Sequence, residues 1–305
     1  MRRLRDDPSG PDGGNELLLS VDFEDWHQLV RRRIGVAGWE APGPALARQT
    51  MALLELLDEL GARATFFVLG MCARAHPRLV EQIVERGHEL GCHGDRHLPV
   101  VAQTPAEFAA DLARARETIA SLSGRRPLGY RAPAFSITRD CAAWAYAALV
   151  DAGFAYDASQ HDSPRIRGRM VSASPYPHPL TVAGGATLWE FPVAVWHNGR
   201  RRLPVGGASY WTLAPTRLVL HGLARAAPLA GLYLHPQELD PEPLRVGLEP
   251  GARLGQRAHA ALRAAQRNLG RRRTPEVLRA IAERHPLITY GEAYARLTRG
   301  APEGP

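Results

Sequence analysis

At 305 residues the chain is long for one ordinary domain and short for two, which suits one barrel-sized unit with extensions. Its 45% apolar fraction is enough for a sizeable core, and no run of about 18 apolar residues offers a membrane-spanning helix. The net charge of +7 favours anionic surfaces, but the excess is arginine and no helix-turn-helix, zinc-finger or RNA-binding aromatic signature accompanies it, so no specific nucleic-acid partner is expected.

The opening MRRLRDDPSGPDGGNE has no apolar stretch after its basic start, so residues 1–15 read as a disordered leader, not a secretory signal, and the cytoplasm is the default location. Residues 16–22 (ELLLSVD) are an apolar run that stops at acids, the pattern of a buried strand. Leu46, Met51, Leu53, Leu54, Leu57 and Leu60 have helical spacing within 44–60, and Gly61 stops that helix. RATFFVLG predicts a second buried strand. A helix over 77–86 follows, between Pro77 and Gly87, and HELGCH predicts a third strand.

The next helix covers 104–122, with Thr104 as N-cap, Pro105 at its first position and Glu107 completing a capping box. GYRAPAFSIT is a strand running into a loop, and 139–151 is a helix closed by Gly153. Residues 160–186, rich in Pro, His, Ser and Gly, read as a long loop. TLWEFPVAV and GLYLHP predict later strands, 252–273 an arginine- and alanine-rich helix, and 274–284 a last helix before PLITYGEAY. Strands alternating with helices predict an α/β fold with a parallel sheet. Cys72, Cys92 and Cys141 have no paired spacing, which argues against a disulfide framework and a cysteine zinc site.

Four segments carry chemistry. Asp22-Phe23-Glu24-Asp25 ends the first strand, where ligands of parallel α/β folds bind. Clustered acids repel and suit a cation, although an acid there also suits a helix N-cap. His93-Gly94-Asp95-Arg96-His97 follows the third strand, and two imidazoles with a carboxylate suit zinc or a similar divalent ion. Tyr130-Arg131-Ala132-Pro133-Ala134-Phe135 can fix an arginine against a carboxylate and present backbone N–H groups to an oxyanion. Leu232-Tyr233-Leu234-His235-Pro236 ends an apolar strand in a histidine placed to act as a general acid. Singly, each has a plainer reading as a turn, a cap or a satisfied histidine. Their order in one chain is what carries weight.

Acid motif, ATFFVLG, ERGHELGCHGDRH, GYRAPAFSIT and YLHP, in that order, resemble the NodB-like polysaccharide deacetylases, carbohydrate esterase family four. YRAPAFSIT, LPVGGASYW and YLHPQELDP resemble more specifically the deacetylases found with PEP-CTERM or exosortase exopolysaccharide loci. The resemblance spans a catalytic domain over 16–240 and implies a distorted (β/α) barrel, with 241–305 a C-terminal helical extension packed on it. It implies one divalent metal ion, with zinc favoured. It maps His93 and His97 onto the histidine ligands and Asp22 onto the catalytic base. Arg131 maps onto the arginine that holds that base, and His235 onto the general acid.

The carboxylate ligand stays open between Asp25, preferred because aspartate is usual in the family, and Glu24, which shares strand parity with Asp22. Pro133, Phe135, Leu234 and Asp157 are implied on the substrate side, with Leu234 lining the acetyl pocket. Asp157 is also a candidate carboxylate partner for His235. Arg201, Arg202 and Trp211 are further candidates for sugar contact.

The implied activity is removal of N-acetyl groups from a sugar polymer or lipid-linked glycan precursor in exopolysaccharide or envelope biosynthesis. The partner is then an N-acetylated glycan, with peripheral contact at the inner membrane face as an added option. The rivals are an amidohydrolase of the same fold acting on a small non-peptide amide and a catalytically silent glycan-binding module. The sequence sets no oligomeric state.

Overall fold

The structure is a computed structural model that describes residues 15–162, 171 and 174–299. The expected leader lies outside it, apart from Asn15, whose side-chain amide donates to the Ala226 carbonyl. No helix among the described residues is long and apolar enough to cross a membrane.

Eleven strands occur in chain order among these residues. They are β1 (Leu17–Phe23), β2 (Thr65–Val68), β3 (Glu89–Cys92), β4 (Gly129–Tyr130), β5 (Tyr156–Asp157) and β6 (His178–Thr181). They continue with β7 (Thr187–Glu190), β8 (Val195–Asn198), β9 (Arg201–Pro204), β10 (Ala230–Leu234) and β11 (Leu287–Ile288). The main sheet runs β10-β1-β2-β3-β4-β5-β7-β6, parallel except for the edge strand β6. It curls until an isolated parallel bridge joins Val193, just past β7, to Gly231 of β10. The result is the expected α/β distorted barrel, with short strands and a narrow seam in place of a full eighth repeat.

Strand parity builds two apolar layers. Leu17, Leu19, Val21 and Phe23 of β1 face outward, into the core shared with the surrounding helices. Leu18 faces inward and joins Phe67, Tyr156, Phe191, Ile288 and Tyr290 in a cluster that fills the barrel. The expected helices appear as Leu46–Glu59, Pro77–Glu85, Pro105–Ser123, Ala142–Asp151, Leu254–Asn268 and Thr274–Ala282. Thr104 and Glu107 form the predicted capping box. The three cysteines are free and buried.

Three features differ from the sequence reading. The chain turns into a helix, Trp26–Arg33, directly after the acid run. The segment 160–186, read as loop, contributes β6 and the start of β7's hairpin partner pairing through His178–Thr181, while residues 163–170, 172 and 173 lie outside the described part. Residues 241–299, the described part of the expected C-terminal extension 241–305, do more than pack on the outside. Leu287 and Ile288 pair with β1, and Tyr290 enters the barrel, stacked on Tyr156 at 6.1 Å and edge-on to Phe67 at 5.5 Å.

Candidate active site

The parallel register levels the strand ends, so Val21 pairs with Leu234 and Val68 with Cys92. One rim therefore receives Asp22 and Glu24 from β1, His93 and His97 after β3, Arg131 after β4 and His235 after β10. Asp22, Glu24, His93, His97, Phe135 and His235 line one cleft of about 560 Å³.

The period of two decides between the two carboxylate candidates. Asp22 and Glu24 point the same way, inward at the rim. Asp25 points away and caps the helix Trp26–Arg33, accepting from the His27 N–H at 2.8 Å and from the Gly43 N–H. Asp25, the preferred carboxylate candidate, is thus turned away from the histidines, and Glu24 is the one the structure gathers with them. Ligand atoms of Glu24, His93 and His97 all lie within 4.8 Å of one another. Glu24 Oε2 is 3.0 Å from His97 Nε2 and 3.6 Å from His93 Nε2. Burial alone would raise the Glu24 pKa, but the charge of His97 and hydrogen bonds from both imidazoles hold it well below the usual range.

The histidine loop is shaped for this. Gly94 has φ +79°, and a Cβ there would sit 2.8 Å from Asp111 Oδ2, which accepts the Asp95 N–H. His97 itself adopts φ 53°. His93 Nδ1–H donates to the Arg131 carbonyl at 2.8 Å, which leaves Nε2 as the ring atom that faces Glu24. That is the ring orientation a metal ligand needs. A cluster of one carboxylate and two imidazoles, open on the cleft side, fits a divalent cation such as zinc in donor type and number.

Arg131 is fully buried. Its Nη1 donates to Asp22 Oδ1 and to Ser20 Oγ, each at 2.7 Å, its Nε to the Ala158 carbonyl at 3.0 Å, and its Nη2 to Tyr290 Oη at 2.8 Å. The guanidinium lies 4.2 Å from the Phe67 ring centroid. The Nη1 contact orients Asp22, and the others hold the guanidinium in place. Beyond Arg131, Ala134 and Phe135 both have left-handed φ, 53° and 52°. The Phe135 N–H is taken by the Ala132 carbonyl at 3.0 Å. Ala134, which lines the cleft, is thus the better-placed backbone donor for an oxyanion.

His235 Nε2 faces Glu24 at 3.5 Å and Asp22 at 3.9 Å, while its Nδ1 lies 3.3 Å from Glu238 Oε2. Burial lowers its pKa, but Glu238, then Glu24 and Asp22, reverse that and raise it to about 9. The partner of His235 is thus Glu238, not Asp157. Glu238 was missed, although its place three residues after His235 in HPQE is a capping-box spacing. Ser209 Oγ donates to Glu238 at 2.7 Å and is brought there by Gly207, where a Cβ would sit 2.6 Å from the Tyr233 ring.

Other expected residues fall elsewhere. Leu234 belongs to the outer core, and its inward-facing neighbour Tyr233 lines the cleft in its place. Pro133 is buried behind Gly94. Asp157 faces away from the cleft, where its Oδ1 accepts from Ser159 Oγ at 2.6 Å. Trp211 is fully buried with its indole N–H on the Val205 carbonyl, Arg202 pairs with Asp162, and Arg201 lies in the β8–β9 hairpin. Tyr290, remote in sequence, had no local signal.

Residues 41–152 match a family model described as polysaccharide deacetylase, and residues 161–283 match one described as a domain of unknown function, DUF3473. The first contains His93, His97 and Arg131, and the second contains His235. A peptidoglycan deacetylase-like protein of Gibberella zeae is 28% identical over 161 residues, covering 47% of this chain and 43% of that protein. The chain spans less than half the length of the sequence relatives it matches. A Mycobacterium smegmatis structure assigned to the polysaccharide deacetylases superposes with a TM-score of 0.59 at 20% identity, covering 98% of this chain and 96% of that one. An allantoinase superposes with a TM-score of 0.59 at 15% identity over the full length of both chains. At such identities the two structural likenesses establish the fold.

Proposed function

We propose that this chain is a NodB-like polysaccharide deacetylase of carbohydrate esterase family four, and that it hydrolyses N-acetyl groups on a glycan with Glu24, His93 and His97 holding a divalent ion. The observation that carries this reading is the convergence of that ligand cluster with an arginine-held aspartate and a carboxylate-backed histidine in one cleft.

A divalent cation bound there supplies a Lewis acid beside the acetamide carbonyl and acidifies water towards neutrality. The chain's own residues do the rest. Asp22, oriented by Arg131, accepts the proton of the attacking water. The Ala134 N–H faces the oxygen that gains charge. His235, held protonated by Glu238, gives its proton to the leaving sugar amine. Trp26, Phe135 and Tyr233 line the cleft with rings suited to sugar faces.

The substrate class is a sugar polymer or lipid-linked precursor of exopolysaccharide or envelope glycan, with the reaction placed in the cytoplasm or at the inner membrane face. Exposed Leu254, Leu262 and Leu269 on an arginine-bearing segment support such a contact. A small-amide hydrolase is the second reading, because an allantoinase shares the fold. The broad, ring-lined cleft favours the glycan. Acetate release from N-acetylglucosamine oligomers, with added zinc and with chelator, tests the proposal. Zinc-dependent release that disappears in Asp22→Asn supports it. Release from small amides alone would move the chain to the second reading.

A further inference from the structure

One wall of the cleft is basic, and it is built by the C-terminal segment. The helix Leu254–Asn268 docks on the helix Trp26–Arg33 through Trp26, Val30, Leu244 and Ala264, and Gln256 donates to the Ile34 carbonyl at 3.1 Å. This docking carries Arg263 and Arg267 to the cleft that holds Glu24, His93 and His97, where Arg33 joins them. The chain contains no lysine, so the choice of arginine carries no information. Position does.

None of the three forms an ion pair among the described residues. Arg267 Nη1 donates to Ser209 Oγ at 2.6 Å and Arg263 Nη1 to Gln266 Oε1 at 3.3 Å, both neutral partners. Arg263 is held below the usual arginine range by partial burial, then by Arg33 and Arg267 themselves. Three like charges from two helices over 220 positions apart thus converge with no direct ion pair, and Glu238, which Arg267 reaches through Ser209, offsets only one of them. Several arginines elsewhere are matched, as in Arg48–Asp240, Arg74–Asp95 and Arg279–Glu59, whereas these three gather on one cleft wall unpaired. An unmatched cluster beside a substrate cleft is what an anionic ligand group neutralises, and guanidinium forks suit carboxylates and phosphates in particular.

We propose that Arg33, Arg263 and Arg267 form an anion subsite, so that the cleft takes an N-acetylated glycan carrying a carboxylate or phosphate on or next to the acetylated sugar. The inference rests on the deacetylase reading for the sugar and on the arginines alone for the anion. The cleft then discriminates between charged and neutral glycans before any chemistry occurs.

Calorimetric binding of three soluble probes to the full chain tests this: hyaluronan tetrasaccharide (carboxylate), UDP-N-acetylglucosamine (diphosphate) and chitotetraose (neutral). Each is titrated with zinc and again in EDTA, so that anion capture by a metal is separated from capture by the arginines. In EDTA at least one charged probe should bind about tenfold tighter than chitotetraose, and whichever it is names the anion. That preference should fade as salt rises from about 0.05 M to about 0.5 M. It should be lost in the Arg33→Gln/Arg263→Gln double variant and reduced about threefold in Arg33→Gln alone, an exposed position whose loss spares the fold. Equal affinities for all three probes, or a preference that survives the double variant, would overturn the subsite. Acetate release from chitotetraose in the same preparations reports on the deacetylase reading separately, so either can fail without the other.

Discussion

Glu24 and Glu89 sit at opposite ends of one barrel, and their surroundings differ in kind. At the floor, Glu89 accepts from Thr65 Oγ at 2.6 Å, Tyr156 Oη at 2.7 Å and the Gly291 N–H at 2.8 Å. Burial pushes its pKa up, and those three donors pull against it. At the mouth, Glu24 faces an imidazole nitrogen from each of two histidines. The floor is a closed hydrogen-bond network of neutral donors, which stabilises. The mouth is a carboxylate and two imidazole nitrogens aimed at one point, a set that a shared proton or a cation stabilises. Both ends hold a glutamate shielded from solvent, Glu24 buried and Glu89 half-buried. What separates site from scaffold is whether the protein itself supplies the donors.

The sharpest way to break that contrast is to neutralise each glutamate in turn. Glu24→Gln should lower acetate release by about 10²–10⁴-fold while leaving the melting temperature close to wild type. Zinc content per chain, by mass spectrometry of inorganic elements, should fall with it. Glu89→Gln should do the reverse, with zinc content kept and unfolding in urea easier by about 1–3 kcal/mol. Similar stability losses in both variants would mean that the mouth is scaffold too.

An intermediate effect is expected at Glu238. With the His235 pKa raised to about 9, a general acid stays protonated through neutrality, and activity falls as pH rises through that value. Glu238→Gln removes the largest upward influence, so the alkaline limb of the rate profile should move to lower pH. An unmoved limb would take His235 out of the acid role.

The smallest effect concerns a third kind of buried carboxyl, outside the barrel. Asp157 Oδ2 and Glu190 Oε2 have no donor of their own, so the pair is satisfied when one proton lies between them. Burial, then the charge of Asp157, raises the Glu190 pKa well above its ordinary 4.5, and burial raises Asp157 to about 6. A carboxyl whose folded pKa is raised contributes fully below 4.5 and loses that contribution as pH climbs through the folded value. Glu190→Gln keeps a donor for Asp157 and cannot ionise. Its melting temperature should match wild type near pH 5 and exceed it by about 2 °C at pH 9. Parallel melting curves across that range would show that no shared proton is present.

Much of this was legible in the chain. Apolar runs ending in acids or histidines located the strands and the rim, and the order of motifs pointed to the family. Asp22, His93, His97, Arg131 and His235 were named because each sits at a strand end, where sequence position and spatial position coincide. The sequence even held the parity that favours Glu24, but a residue-type preference for aspartate outweighed it. Only the helix turn at Trp26, which takes Asp25 as its cap, resolved that choice.

What the tertiary structure alone decided are the contacts between segments far apart in the chain. Tyr290 reaches Arg131 across 159 positions, and the helix Leu254–Asn268 brings Arg263 and Arg267 beside Arg33. Glu238 lies near His235 in sequence, yet its role depended on a side chain folding back at a strand end. Local pattern fixes which face a residue takes on its own strand or helix, because backbone periodicity is local. Which faces then meet depends on how the barrel closes and where the C-terminal segment docks, and no local period encodes that.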